Sequence, residues 1–238
     1  MKPGTPALRL PDAARNDLVA VAGSGPRIAA RARAVAAVLA CALLGGCALL
    51  GGGGEREPTS IYAPDPRIAP DASWPTVQWQ LTISPATAAR MLDSTRIAVQ
   101  PTPGEMQVYR GARWSKPPTQ MLEDAVLRGL EDSGRIAAVA RQGSGIDGDY
   151  RLLMDLRRFD ADYAGGAVPA ATIEVNAKLL HPLDQQVVAS RTFLVRKPAA
   201  GTAVAQVADA FDAALGDIAG QLAGWTLASG ERHEHAPR

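Results

Sequence analysis

Few residues in this chain of 238 have the type and spacing that catalysis or metal binding requires. Asp160 and Asp162 alternate along one predicted strand, so they could act as a general acid and a general base. A strand with one wet face places two carboxylates in this way without any chemistry, and we favour that interpretation. The triplet His233-Glu234-His235 offers metal ligands, but a polar tail with no third fixed ligand is typical of a solvated chain end.

Two short motifs lie in the glycine-rich stretch of residues 142–148. Gly143-Ser144-Gly145 lacks the wider glycine spacing of a nucleophile elbow, and no histidine follows where a hydrolase would place its base. Asp147-Gly148-Asp149 supplies two of the oxygens of a calcium loop without the bidentate glutamate downstream. Neither motif fits a phosphate-cradling loop or a dinucleotide fingerprint. The sequence therefore predicts a protein that is not an enzyme, with no catalytic residue, no metal and no nucleotide.

One segment has the composition of a binding site. The run from Tyr109 to Pro118 places a tryptophan between basic residues on a short predicted loop, directly before a helix. A large aromatic side chain on a loop offers much contact area at a small entropic cost. Our candidates for partner binding are Tyr109, Arg113, Trp114 and Pro117. In the alternative interpretation, Trp114 closes the end of a sheet and contacts no partner.

Cys47 carries the most specific chemical signal. Three arginines precede an apolar run of eleven residues from Ala34 to Leu44, about half the length that a membrane-spanning helix needs. Such a run is the apolar part of a secretory signal. Leu44-Gly45-Gly46-Cys47 resembles the bacterial lipobox, which implies cleavage between Gly46 and Cys47. It also implies a diacylglyceryl thioether and an amide-linked acyl chain on Cys47, the only added groups that we expect.

Acylation at several positions anchors a protein far more firmly than a single chain does. Ala48 follows the cysteine, and by resemblance to enterobacterial lipoproteins this residue favours sorting to the outer membrane, with the domain on its periplasmic face. Cys41 would leave with the signal, so that no cysteine remains for a disulfide or a thiol nucleophile. A plain secretory signal with an incidental Cys47 is the alternative.

Charge and composition exclude several classes of partner. The chain is 47% hydrophobic and 21% charged, as in ordinary globular proteins, and its net charge is +1. Removal of residues 1–46 takes away six basic and two acidic residues and leaves a net charge of −3. A nucleic-acid-binding protein usually has a basic face, so we expect no nucleic acid as partner.

The distribution of glycine and proline predicts the domain boundaries. Residues 1–46 form the signal, and residues 47–75 form a flexible tether that begins at the lipidated cysteine, although Ile61, Tyr62 and Trp74 could pack on the domain. Residues 76–230 form one domain, long enough for a well-buried core. Residues 231–238 form a disordered tail.

Hydrophobic periodicity predicts the elements of that domain. The alternation of apolar residues changes phase at Arg157-Arg158, which predicts a β-bulge there. The residues from His181 to Asp184 form a turn that connects two long strands. The fold class is α+β, a two-layer sandwich of a mixed, largely antiparallel sheet with two main helices. The predicted strands are 77–83, 96–100, 106–109, 136–140, 150–163, 171–180 and 186–196, and the predicted helices are 117–132 and 202–227.

These residues resemble the family of ABC-type transport auxiliary lipoproteins, of the PqiC-like kind. The resemblance covers residues 77–227, and one departure from it is the proline-rich stretch Pro58 to Pro75, because relatives reach the first strand sooner. The resemblance depends on Arg96-Ile97-Ala98-Val99, Tyr109, Arg113-Trp114-Ser115, Pro117-Pro118, Met121-Leu122 and a closing helix that ends near Trp225.

The resemblance implies a non-catalytic lipoprotein of the outer membrane that accompanies an ABC permease, its ATPase and an inner-membrane MCE protein. The rings of the MCE protein form a channel for lipids, and we expect this chain to join the distal end of that channel to the outer membrane. Two other roles stay open. One is a structural or assembly lipoprotein of the outer membrane, and the other is a shuttle that carries a lipid between sheet and helix.

Overall fold

The computed structural model of the chain describes residues 58–236. Gly46 and Cys47 lie outside the described residues, as does the signal segment. Within the described part, the helices are α1 (Pro118–Ser133) and α2 (Val204–Glu234). The strands are β1 (Ser60–Tyr62), β2 (Val77–Ile83), β3 (Thr87–Ala88), β4 (Arg96–Gln100), β5 (Gln107–Trp114), β6 (Ile136–Arg141), β7 (Tyr150–Asp162), β8 (Ala170–His181) and β9 (Gln186–Pro198).

Strand β7 organises the sheet. One side of β7 pairs with antiparallel β8 from Arg151 to Asp162, and β9 continues this meander. The other side of β7 pairs in turn with three parallel strands, which are β2 near its start, β3 in its middle and β4 at its end. The register shifts between Leu156 and Arg158, which confirms the predicted bulge. A bulge bends a strand, and this bend lies in the strand that pairs with β2, β3 and β4 along one side.

The sheet is mixed and open, and the α+β sandwich is confirmed. Parallel β6 pairs with β2 at one end of the sheet, and the antiparallel pair β4–β5 with parallel β1 forms another edge. The two longest pairings, β7–β8 and β8–β9, are antiparallel. Both helices contact the sheet and each other, with α1 against β6 and α2 against β8 and β9.

The helices begin and end for local reasons. Helix α1 starts at Pro118, whose fixed φ suits the first helical position, and it stops at Gly134, which has the left-handed φ of 61°. Helix α2 continues to Glu234 instead of ending near Leu227. Residues 231–234, which the composition assigns to a disordered tail, are therefore helical.

The predicted tether is also partly folded. Ser60 to Tyr62 form β1, which pairs in parallel with Ala112 to Trp114, and Trp74 is 9% exposed. Residues 63–75, which we call the strap, continue from β1 along the helices. The Asp65 backbone N–H donates to Asp212 Oδ1 at 2.7 Å, and the Asp65 carboxylate forms an ion pair with Arg128. The folded unit thus begins near residue 60 and not at residue 76.

Small residues of the helices accommodate the strap. Gly216, Gly220 and Gly224 lie four residues apart in α2 and so share one face of the helix. A Cβ on Gly216 would lie 3.1 Å from Pro66. A Cβ on Gly224 would collide with the indole of Trp74, so this glycine permits a closer approach than any other residue allows.

Candidate functional site

The segment predicted as a binding loop is the second half of a strand. β5 runs to Trp114, and β1 covers its outer side, with the Ser115 N–H donating to the Tyr62 carbonyl at 2.7 Å. The pairing of β4 with β5 is irregular. Ala98 pairs with Val108 and Arg96 pairs with Arg113, so a step of two residues in β4 corresponds to a step of five in β5. Gly111, with φ of 65°, lies in the extra length of β5. This irregularity breaks the alternation that would have marked residues 110–114 as a strand.

Trp114 lies in the core. Its side chain is 1% exposed, and its ring makes edge contacts with Phe159 at 5.8 Å and Phe211 at 5.1 Å between centroids. Phe159 and Phe211 stack at 4.7 Å, so one aromatic cluster joins β5, β7 and α2. The structure therefore places Trp114 in the second of its two predicted roles, where it fills the end of the sheet and presents no surface to a partner.

Tyr109 is half-buried beside Tyr163. Its hydroxyl group is enclosed, and it has no hydrogen-bond partner among the described residues. Burial raises the pKa of the Tyr109 phenol well above its ordinary value, and the adjacent Tyr163 phenol raises it further. Tyr109 is consequently neutral across the physiological range, and its ring packs against the edge of the core.

Arg113 is exposed, and two residues on the neighbouring strands share its face of the sheet. Ile61 of β1 and Arg96 of β4 are the register partners of Arg113. We call these three residues the docking edge. The Ile61 side chain is 55% exposed, and neither arginine forms an ion pair with another described residue. Like charges directly opposite each other destabilise a strand pair, so an anionic partner would relieve this repulsion.

Pro117 has a structural position. It is the residue that precedes α1, and its carbonyl oxygen accepts from the Met121 N–H at 3.1 Å. The neighbouring Lys116 forms an ion pair with Asp124 in the same helix. Of the four candidates for partner binding, the structure leaves Arg113 fully at the surface, Tyr109 and Pro117 partly exposed and Trp114 buried.

Asp160 and Asp162 lie together on β7 and face one arginine. Arg158 Nη2 is 2.7 Å from Asp160 Oδ2 and 3.0 Å from Asp162 Oδ2, and Arg196 Nη2 is 3.1 Å from the same Asp162 oxygen. Burial alone would raise the pKa of Asp162. The hydrogen bonds from Arg158 and the Ala164 N–H, with the charges of both arginines, nevertheless lower it below the ordinary value.

The alternation predicts that the strand face with these two carboxylates is exposed to solvent. The prediction fails for Asp160, whose side chain is only 1% exposed. Hydrogen bonds to Asp160 in turn raise the pKa of Arg158. Because Arg158 and Arg196 keep Asp162 ionised, this carboxylate has no proton to donate near neutral pH. The ion pair of Asp162 with Arg196 joins the end of β7 to β9.

The other predicted motifs have structural contacts. The Ser144 N–H closes a turn on the Arg141 carbonyl at 3.2 Å, and Asp149 Oδ2 accepts from the Gln80 N–H at 2.8 Å. The Tyr150 hydroxyl lies 2.7 Å from both His233 Nδ1 and Glu234 Oε1, which joins the end of α2 to the start of β7. This contact could not be found from sequence, because a polar chain end gives no signal of its partner.

Metal binding and membrane spanning find no support in the part of the chain that the structure describes. Residues 58–236 hold no cluster of three or more His, Cys, Asp or Glu side chains that could bind a metal ion. Neither described helix is both long and apolar enough to span a bilayer.

A family model and several known proteins match the part of the chain that forms the folded unit. A family model described as "ABC-type transport auxiliary lipoprotein component" matches residues 60–223. An uncharacterized protein of Bradyrhizobium diazoefficiens is 28% identical over 152 residues, which are 64% of this chain and 40% of that protein. The chain thus spans about two fifths of the length of this curated relative.

Among solved structures, protein XCC0632 from Xanthomonas campestris is 55% identical to the chain, with a TM-score of 0.73. The match covers 75% of this chain and all of that one. A second crystal structure, of an uncharacterized protein, is 15% identical with a TM-score of 0.55 over 70% of this chain and 97% of the other, and it shows a similar fold. The family match begins at residue 60, so its range includes β1 and the strap.

Proposed function

We propose that this chain, which belongs to the family of ABC-type transport auxiliary lipoprotein components, is a non-catalytic contact subunit of an MCE-type lipid transporter. The single observation that carries the proposal is the family match, which extends from β1 through most of α2. In this role the chain is lipidated at Cys47, lies on the periplasmic face of the outer membrane and binds the MCE protein of the transporter.

The length of the chain before β1 supports a close attachment to the bilayer. Eleven peptide units connect Cys47 to Pro58, and a fully extended chain of that length reaches about 40 Å at most. Because β1 and the strap are packed on the domain, an acylated Cys47 would keep Pro58 within about this distance of the bilayer. Such confinement raises the effective concentration of a membrane-bound partner.

The contacts of the polar side chains support a role in binding and not in chemistry. Asp160 and Asp162 form ion pairs with Arg158 and Arg196, and the Tyr150 hydroxyl contacts the end of α2. The docking edge, by contrast, has two arginines that are free of ion pairs with other described residues and an exposed isoleucine. An exposed arginine beside an apolar side chain is a frequent anchor at protein interfaces.

The aromatic cluster leaves no room for an acyl chain at its own position. Trp114, Phe159 and Phe211 fill the space between β5, β7 and α2, so a lipid shuttle would need a groove elsewhere between sheet and helix. Each of these side chains is at most 1% exposed.

The proposal is tested by affinity purification of the tagged protein from crosslinked cell envelopes. We expect to recover a protein with MCE domains together with the permease and the ATPase. The variant Ile61→Asp/Arg113→Glu should recover less of the MCE protein, whereas Arg90→Glu, which changes an exposed arginine elsewhere, should recover the usual amount. Recovery of envelope proteins without any transporter component would contradict the proposal.

A further inference from the structure

Strand β9 has one side without a strand partner. It pairs with β8 from Gln186 to Pro198, and in residues 58–236 no strand pairs with its other side. A strand of thirteen residues is about 43 Å long. Edge strands of this length present a row of backbone donors and acceptors on which another extended chain can pair.

A groove runs beside this free side. It has a volume of about 330 Å³ and lies between β9, α2 and the end of the strap. Ser73 and Trp74 of the strap and Gly220 and Gly224 of α2 are among its lining residues. Its lining contains two arginines, Arg191 and Arg232, and no acidic residue.

The two arginines are available to a ligand. The Arg191 guanidinium lies 4.8 Å from the centre of the Phe193 ring, and the Arg232 Nη2 donates to Ser229 Oγ at 3.0 Å. Neither forms an ion pair with another described residue. Phe193 and Trp225 meet edge to face at 5.6 Å, so the charges lie next to an apolar shelf.

The two faces of β9 differ in chemistry. Phe193 and Val195 are buried toward α2, and Arg191 shares their face by alternation. Leu194 lies on the opposite face and is 53% exposed. A strand added beside β9 would therefore place alternate side chains near the arginines and near the exposed leucine.

We propose that β9 and this groove bind an extended, acidic segment of a partner protein by β-strand addition. Carboxylates on one face of the segment pair with Arg191 and Arg232, and apolar side chains on its other face cover Leu194. The inference goes beyond the proposed function, because β9 and the docking edge lie at opposite edges of the sheet and the groove requires no membrane anchor.

The test uses the purified full-length chain in mild detergent and a labelled nine-residue peptide of alternating glutamate and valine. Fluorescence anisotropy should show saturable binding of this peptide and none of its lysine–valine counterpart. The double variant Arg191→Gln/Arg232→Gln should weaken binding about tenfold or more, since both charged contacts are lost. The control Arg90→Gln/Arg110→Gln changes two exposed arginines elsewhere and should bind the peptide as the original chain does.

Backbone pairing has its own test. Two further peptides carry N-methyl groups on alternate residues, one on the odd and one on the even positions. Strand addition predicts that only one of them loses binding, because alternate N–H groups of a strand point to the same side. Equal binding of both methylated peptides, or no loss in the Arg191/Arg232 variant, would overturn the proposal. So would a dimer of the chain that buries β9 and excludes the peptide.

Discussion

The indole of Trp74 lies against the backbone of α2 at Gly224, in space that a Cβ on residue 224 would occupy. The contact connects the strap with the last helix, so the strap is held to the domain at Trp74 as well as at Asp65. We predict that Gly224→Ala destabilises the domain by about 1–3 kcal/mol, because the added methyl group displaces a large buried ring. Chemical denaturation measures this free energy of unfolding.

Gly220→Ala is the matched control. Its Cβ would meet Ile68 Cγ2 at 3.5 Å, which is an ordinary contact. Alanine has a higher helix propensity than glycine by about 1 kcal/mol, so this variant should be as stable as the original chain or more stable. Equal loss of stability in both variants would show that the strap is not packed as described.

Replacement of Trp114 affects folding. Trp114→Ala removes a side chain that is 1% exposed and leaves a cavity next to Phe159 and Phe211, so we expect a loss of about 3–5 kcal/mol in unfolding free energy. Arg113→Gln, one residue away, changes only an exposed side chain and should stay within about 0.5 kcal/mol. A Trp114→Ala variant that is as stable as the original chain but binds its partner less well would contradict the buried role and show that Trp114 contacts the partner.

Stability should depend on pH through Asp162. The native contacts with Arg158 and Arg196 hold its pKa below the ordinary value of 3.8. This contribution is fully present above that pH, and it is lost as the pH falls from 3.8 through the native pKa, because the unfolded chain then binds the proton first. The unfolding free energy of the chain should fall in this window.

Arg158→Gln should cost about 3 kcal/mol at neutral pH, since it leaves the buried Asp160 without its cation and Asp162 with Arg196 alone. The difference between this variant and the original chain should shrink as the pH falls through the lowered pKa of Asp162, because the original chain then loses the ion pair that the variant already lacks. A difference that stays constant from pH 7 to pH 3 would mean that the charges of this group contribute nothing to stability.

The last turn of α2 can be tested by truncation. A chain that ends after Gly230 lacks the groups that contact the Tyr150 hydroxyl at 2.7 Å, and it should lose about 1–3 kcal/mol because a buried hydroxyl loses partners. A chain that ends after His235 keeps His233 and Glu234 and should match the full chain. Indistinguishable denaturation curves for both truncations would indicate that the end of α2 is not held by Tyr150.

Regular periodicity made much of the fold predictable. β2 and β4 have the predicted bounds, Val77–Ile83 and Arg96–Gln100, because buried and exposed residues alternate or an apolar run is closed by proline. The bulge at Arg157 was predictable because one extra residue in a long strand shifts the alternation of every residue after it. Helix α1 was predictable from proline at its start and glycine after its end.

Contacts over long sequence distances were not predictable. The prolines of the strap indicated a flexible tether, but Pro66 and Trp74 pack on Gly216 and Gly224 of α2, and nothing in the local sequence identifies such a partner. The end of β5 was missed because Gly111 and three charged or small neighbours interrupt the alternation. The sequence therefore left both roles of Trp114 open, and only the packing against Phe159 and Phe211 shows that it is buried.

A photoreactive amino acid at position 113, crosslinked in intact cell envelopes, tests the central claim most directly. The proposal predicts a covalent adduct with a protein that carries MCE domains, and loss of this adduct when Cys47→Ser removes the site of lipid attachment. An adduct formed only with envelope proteins unrelated to a transporter, or formed equally well without Cys47, would contradict the proposed role.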